Sequence, residues 1–311
     1  MLRDLRLREV RLLRLLRLLR PRLLPSPSVI PLGPFTLLSL VRRFGGDLTG
    51  LDRDLCGLAS VTEATQGDLT PLLRARFEPA ARQAHGRGAC LLVDSSLASR
   101  VRDLSHVWLH PFAPWVLAEL LDDAPVLSPP AELGDGTTLA EHVVLSPRVV
   151  LGRRVSIGAG SVIGRPGFGW ATGPDGSSRA IPQLGGVLVE DDVVIGPLCT
   201  VDAGTLGPTI LRRGVRLDAH VHVGHNCVLG EGTMVAAQSG FAGSVQIGRG
   251  VMVGGQVGVA DHVTVGDGAR IAAKSGVIGD VPAGATVAGY PAVARMRWLR
   301  ALGHLYRKAK P

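Results

Sequence analysis

His220, His222 and His225 fall within one short stretch, and Asn226 follows the last of them. An imidazole titrates near neutral pH, which suits it to moving a proton in a reaction. Alternating histidines also suit metal ligation, but no carboxylate or cysteine on the same turns completes a set, so no metal is expected. No cofactor motif occurs either. For His225 two readings stand, a working acid–base group or a turn histidine without a role.

The surrounding sequence decides how such residues are held. An aliphatic side chain recurs every six positions at Leu133, Leu139, Leu145, Leu151, Ile157 and Ile163. A small residue follows each, as in Gly134, Ala140, Ser146 and Gly152. The pattern resumes at Val189, Ile195 and Val201, shifts phase by four residues, and runs from Leu211 to Val277. Six residues make a short strand and a turn that bury nothing alone, so the units must stack into a solenoid. In that frame Cys199 and Cys227 occupy a corner position, as small core residues rather than nucleophiles. His225 falls two residues after Val223, on an exposed turn. The break at residues 165–187, rich in Gly, Pro and Ser, is long for a regular solenoid, and such loops usually carry function.

Outside the repeat the chain reads differently. Residues 35–125 form a small α/β domain, with helices over Leu37–Phe44 and Pro114–Leu121 and a buried strand over Ala89–Val93. The β-helix occupies residues 126–288. Residues 289–311 end the chain as a helix with one basic face carrying Arg295, Arg297 and Arg300. Residues 1–34 begin with a Leu/Arg-rich extension. It is either a basic amphipathic helix on a membrane surface or a segment without a fold. Residues 1–24 hold eight arginines against Asp4 and Glu9, contributing +6 of the net +8. The rest is close to neutral, which argues against a nucleic-acid surface. The four cysteines lack CxxC spacing, as expected of a cytoplasmic protein with free thiols.

The run Gly224-His225-Asn226-Cys227-Val228-Leu229-Gly230 resembles the active-site segment of the UDP-3-O-acylglucosamine N-acyltransferases of lipid A synthesis. Gly167-Phe168-Gly169 and Ile181-Pro182-Gln183 resemble that family's insertion, and Thr200-Val201-Asp202-Ala203-Gly204 with Thr209 its next segment. The resemblance implies a mainly β fold, a left-handed parallel β-helix of hexapeptide repeats with a small N-terminal α/β nucleotide-binding domain and a C-terminal helix. It implies a homotrimer that moves a hydroxyacyl chain from acyl carrier protein to the 2-amine of a UDP-linked acylglucosamine. By the same resemblance His225 is the general base, Asp218 orients it, and His262 lies near the site. Gly243, eighteen residues after His225 and so one coil above it, offers its N–H to the oxyanion. Phe77, Phe168, Gly169, Gln183 and Asn226 contact substrate, and the basic helix takes the acidic carrier.

The chain also departs from that family. Of the two aromatics that stack the uracil, the first position is Pro71 and only Phe77 remains. The family's Asp-Arg-Gly is Asp202-Ala203-Gly204, and the insertion opens on Gly164-Arg165-Pro166. Two other readings stay open: an acetyl-coenzyme A-dependent sugar-nucleotide N-acetyltransferase, and a solenoid without catalysis.

Overall fold

The computed structural model describes residues 29–125 and 128–308. The arginine-rich residues 1–24 lie outside the described residues.

The N-terminal domain is built on a six-stranded mixed sheet. In chain order it comprises β1 (Val29–Thr36), α1 (Leu37–Phe44), β2 (Asp47–Thr49), β3 (Asp54–Ala59), β4 (Asp68–Leu72), α2 (Glu78–Gly86), β5 (Cys90–Asp94), β6 (Val107–His110) and α3 (Ala113–Asp122). The strand order is β1-β3-β4-β5-β6-β2, parallel from β3 to β6 and antiparallel at both edges. The expected helix over Leu37–Phe44 is present, capped by Thr36, whose side chain accepts from the Ser39 N–H. The expected boundary at residue 35 is corrected: residues 29–34 belong to β1, because Ile30 and Leu32 are buried in the domain core.

From Glu132 onward short strands stack into three parallel sheets, one per side of a triangular coil. The hexad register becomes the stacking register. Leu133 pairs in line with Leu151, Val189, Leu211, Leu229, Ile247 and Val265. The other two sides run through Leu139–Ile157–Ile195–Leu217 and Leu145–Ile163–Val201–Val223 in the same way. The fold is thus mainly β, a parallel β-helix of the left-handed hexapeptide type. These aliphatic residues form one continuous core, with Phe241 fully enclosed. Burying the inward face of each short strand this way removes most of the apolar surface that a single hexad would leave in water.

Corners turn through a left-handed residue three positions after each aliphatic one. His220, Asn226, Gln238, Ser244, Gln256 and His262 all have φ near +60°. Cys199 and Cys227 are buried at corners. Burial pushes the Cys227 thiol up to about 12, and its Sγ–H donates to the Ala242 carbonyl at 3.1 Å. A thiol so hard to ionise is core filler and not a nucleophile.

Two segments leave the coil. Residues 164–186 carry a hairpin of Trp170–Thr172 against Ser178–Ala180. Arg179 ties it to α3, pairing with Glu119 and, at 2.6 Å, with Asp122, while lying 5.0 Å from the Trp115 ring. The phase shift of four residues is a second loop between Asp202 and Thr209. Its Leu206 is buried in the N-terminal core, which Ile181 and Leu184 also touch. Both loops therefore bind the α/β domain to one corner of the β-helix.

The chain closes with α4 (Arg295–Lys308), on which no residue is buried. The expectation of one basic face is corrected in part. At roughly 100° per residue, Arg297, Arg300, Arg307 and Lys308 share a side, and Arg295 lies opposite. Arg295 instead faces a groove on the β-helix lined by Met234, Met252 and Arg270.

Candidate active site

His225 sits where the two loops meet the coil. Its strand neighbour Val223 is buried, and the left-handed turn at Asn226 aims the ring out of the corner. The ring is half-buried rather than freely exposed, which corrects the reading of an open turn. Glycines on both sides explain why. A β-carbon on Gly167, from the insertion, would come 2.5 Å from His225 Cβ. A β-carbon on Gly243, one coil on, would come 2.5 Å from His225 Nε2. Any other residue at either position would collide with the imidazole, so here glycine is required for close approach.

Burial holds the His225 pKa below the ordinary imidazole value. A neutral ring is therefore the resting form at neutral pH, as a proton acceptor requires. His262, on a later coil, is also held down, chiefly by burial and then by Arg74. Its N–H donates to the Gly243 carbonyl at 3.0 Å, and its ring meets Phe77 edge-on at 5.6 Å. Arg76 donates to its carbonyl, and Arg74 pairs with Asp261 at 3.4 Å. Thus Phe77, His262, Gly243 and His225 form one continuous wall between the α/β domain and the β-helix. Pro71 stands within β4 opposite Leu92.

Asp218 is not part of this wall. It sits one hexad earlier, at another corner, and accepts from the backbone N–H groups of Ala219 at 2.8 Å and Ala237 at 3.2 Å. The expectation that it orients His225 within the chain is corrected. Its spacing of seven residues from His225 spans a whole hexad and a corner. The residue beside the ring is Asn226, whose Nδ2 lies 2.9 Å from His225 Nδ1.

Asn226 and Gln183 are placed as supports of the ring. Asn226 Oδ1 accepts from the Thr205 N–H at 2.7 Å, and its Nδ2 donates to Thr205 Oγ1 at 2.9 Å. Thr205 Oγ1–H donates to Gln183 Oε1 at 2.7 Å. Gly169 packs against Gln183, its β-position 3.0 Å from Gln183 Nε2. Phe168 is 83% exposed and meets Trp170 at 6.2 Å, an aromatic pair at the mouth of the site. Sequence reasoning missed Thr205, although the phase shift of four residues marks the loop that carries it.

It also missed Arg165. Asp202, 1% exposed, has the Arg165 guanidinium 2.9 Å from its Oδ1. Burial pushes the Asp202 carboxyl up to about 6, with Arg165 opposing. His222 stacks on Thr200, its Nδ1 2.7 Å from Thr200 Oγ1, and its Nε2 lies 3.8 Å from Asp202. Burial, Arg165 and His225 all hold His222 down, so it stands beside Asp202 as a neutral ring. The unusual Arg165 and the unusual Ala203 are thus connected. Arg165 reaches across from the start of the insertion to Asp202, the residue before Ala203.

His220 is exposed on another corner, so the alternating histidines do not converge. Among the described residues no group of three or more His, Cys, Asp or Glu could hold a metal. No helix of the described residues is long and apolar enough to cross a membrane.

No family model matches the chain. Curated relatives carry the name that the motifs suggest. A "UDP-3-O-acylglucosamine N-acyltransferase" of Christiangramia forsetii is 49% identical over 83 residues, 27% of this chain and 24% of that protein. One of Syntrophus aciditrophicus is 52% identical over 149 residues, 48% of this chain and 41% of that protein. The chain therefore matches well under two thirds of the length of these relatives. Among solved structures, a UDP-N-acetylglucosamine acyltransferase from Campylobacter jejuni is 24% identical, covering 53% of this chain and 70% of that one at a TM-score of 0.46. One from Bacteroides fragilis is 20% identical, covering 58% and 77% at a TM-score of 0.47.

Proposed function

We propose that the chain is an N-acyltransferase, moving a hydroxyacyl group from acyl carrier protein to the 2-amine of UDP-3-O-acylglucosamine. The observation that carries this reading is the neutral, half-buried imidazole of His225 held between Gly167 and Gly243. The amine nitrogen attacks the thioester carbonyl carbon, and His225 takes the proton that the amine gives up. The carbonyl oxygen becomes an oxyanion beside the Gly243 N–H, which makes no hydrogen bond among the described residues. The C–S bond then breaks, and the thiolate recovers the proton from His225.

The neighbouring surfaces suit the rest of such a substrate. Arg74 and Arg76, beside Phe77, offer cations and one aromatic face to a nucleoside diphosphate. On the outer face, Gly240, Gly258 and Gly276 leave a groove of about 710 Å³ running from His222 to Tyr290, room for an alkyl chain. The exposed cations Arg297 and Arg300 suit an acidic carrier. A homotrimer with sites between subunits would close this groove and could bring in Asp218 from a second chain. A cytoplasmic protein at a membrane surface fits this chemistry.

The test is an acyl-transfer assay with purified protein. It offers acyl carrier protein and coenzyme A thioesters to UDP-3-O-acylglucosamine and to UDP-glucosamine. Turnover with the carrier thioester and the acylated acceptor supports the proposal. Turnover only with acetyl-coenzyme A supports the acetyltransferase reading, and none with any pair refutes both.

A further inference from the structure

The hydrogen bonds around Asn226 have directions that two backbone groups dictate. At one end the Ile181 carbonyl can only accept, so the group facing it at 2.9 Å must be Gln183 Nε2. Gln183 Oε1 then faces Thr205 and accepts its hydroxyl proton. That leaves a Thr205 Oγ1 lone pair to accept from Asn226 Nδ2. At the other end the Thr205 N–H can only donate, so the atom facing it at 2.7 Å must be Asn226 Oδ1. Two independent anchors thus give the same orientation of the Asn226 amide. Its second N–H points at His225 Nδ1, 2.9 Å away.

Nδ1 must therefore be the acceptor nitrogen of His225. A neutral imidazole carries one proton, so that proton sits on Nε2, the atom lying over Gly243. We infer that Asn226 is a positioning residue that holds His225 in the Nε2–H tautomer, steered from the insertion through Gln183 and Thr205. This rests on the reading of His225 as the acid–base group and deepens it. In this tautomer the ring presents a donor to the cleft and cannot take the amine proton at Nε2. Base competence comes when Asn226 gives up Nδ1, so that the ring proton can reside there instead. Because Thr205 and Gln183 hold Asn226 in place, the insertion governs when that happens. Asn226 and Gln183 then act through His225 instead of as direct substrate contacts.

Nitrogen-15 NMR of the labelled full chain at about pH 8, where the ring is neutral, reads the tautomer directly. The two-bond proton–nitrogen pattern of His225 is assigned by its loss in H225Q. Wild type should show an unprotonated, pyridine-type Nδ1 and a protonated, pyrrole-type Nε2. N226D puts an acceptor against Nδ1 and should reverse the pattern. T205V removes the hydroxyl that ties Asn226 to Gln183. It should give a mixture of tautomers and, because more rings then carry their proton on Nδ1, a rise of up to about tenfold in kcat, the equivalent of one hydrogen bond, with KM little changed. A protonated Nδ1 in wild type overturns the inference, and so does a folded N226D or T205V with the wild-type pattern. The spectrum needs no turnover, so failure of the acyl-transfer reading and failure of this inference are separate results.

Discussion

The Nε2 atom of His225 lies so close over Gly243 that a β-carbon there would sit 2.5 Å from it. The obstructed group is the end of a side chain and not backbone, so Gly243→Ala should fold by letting the ring swing aside. Stability should change by less than about 1 kcal/mol. Acyl transfer should fall by about 100-fold, because misplacing a catalytic group by about 1 Å costs that much. Paired unfolding curves and initial rates check this. A variant as active as wild type would mean that the ring does not work from this position.

The pH dependence of the rate follows from the same burial. Burial holds His225 below the ordinary imidazole value of 6.5. Protonation abolishes its capacity as a base, so kcat/KM should fall only as pH drops below that value. His222 and His262 are its titrating neighbours and are held down as well, His222 by burial and then by the cationic Arg165. An acid limb centred at or above 6.5 in a pH–rate profile would contradict a desolvated ring.

Asp202 makes an opposite prediction for stability. Burial raises its folded pKa to about 6, above the ordinary aspartate value of 3.8, so the folded chain binds the proton more tightly than the unfolded one. That contribution is fully present below 3.8 and is lost as pH rises through 6, by roughly 3 kcal/mol. Asp202→Asn carries no titrating proton. Its stability should not decline across this window, and at pH 7 it should be at least as stable as wild type. Urea unfolding at a series of pH values checks this, and a parallel decline in both proteins would contradict it.

The position of Arg295 separates it from the other helix cations. Arg297→Glu with Arg300→Glu should weaken binding of an acidic carrier protein at least about tenfold at low salt. Arg295→Glu, turned toward Met234 and Met252, should have little effect on the same binding isotherm. Equal effects from both changes would argue against a single docking face on α4.

The β-helix was legible in the sequence because each hexad repeats the same physical demand. Leu217, Val223 and Leu229 are inward for the same reason, so one register predicts every coil and places Gly243 above His225. Nonlocal contacts were not legible. Nothing in the spacing says that Gly167 folds back over His225, since the insertion's path is set by the pairing of Arg179 with Glu119 and Asp122 of α3 and by Leu184 in the domain core. Asp218 does not reach His225 within one chain, because a motif gives order along the chain but not which corner of the coil a residue occupies. Thr205 and Arg165 were hidden for the same reason. Each acts across a gap of more than twenty residues, at Asn226 and Asp202 respectively.

The central claim is that the His225 imidazole moves the proton in acyl transfer. The most direct measurement compares initial rates of N-acylation by wild type and His225→Ala, with carrier-bound thioester and UDP-3-O-acylglucosamine, alongside circular dichroism of both. The variant should keep the wild-type spectrum and lose about 100- to 10,000-fold in rate. Turnover at the wild-type rate by a folded His225→Ala would contradict the account.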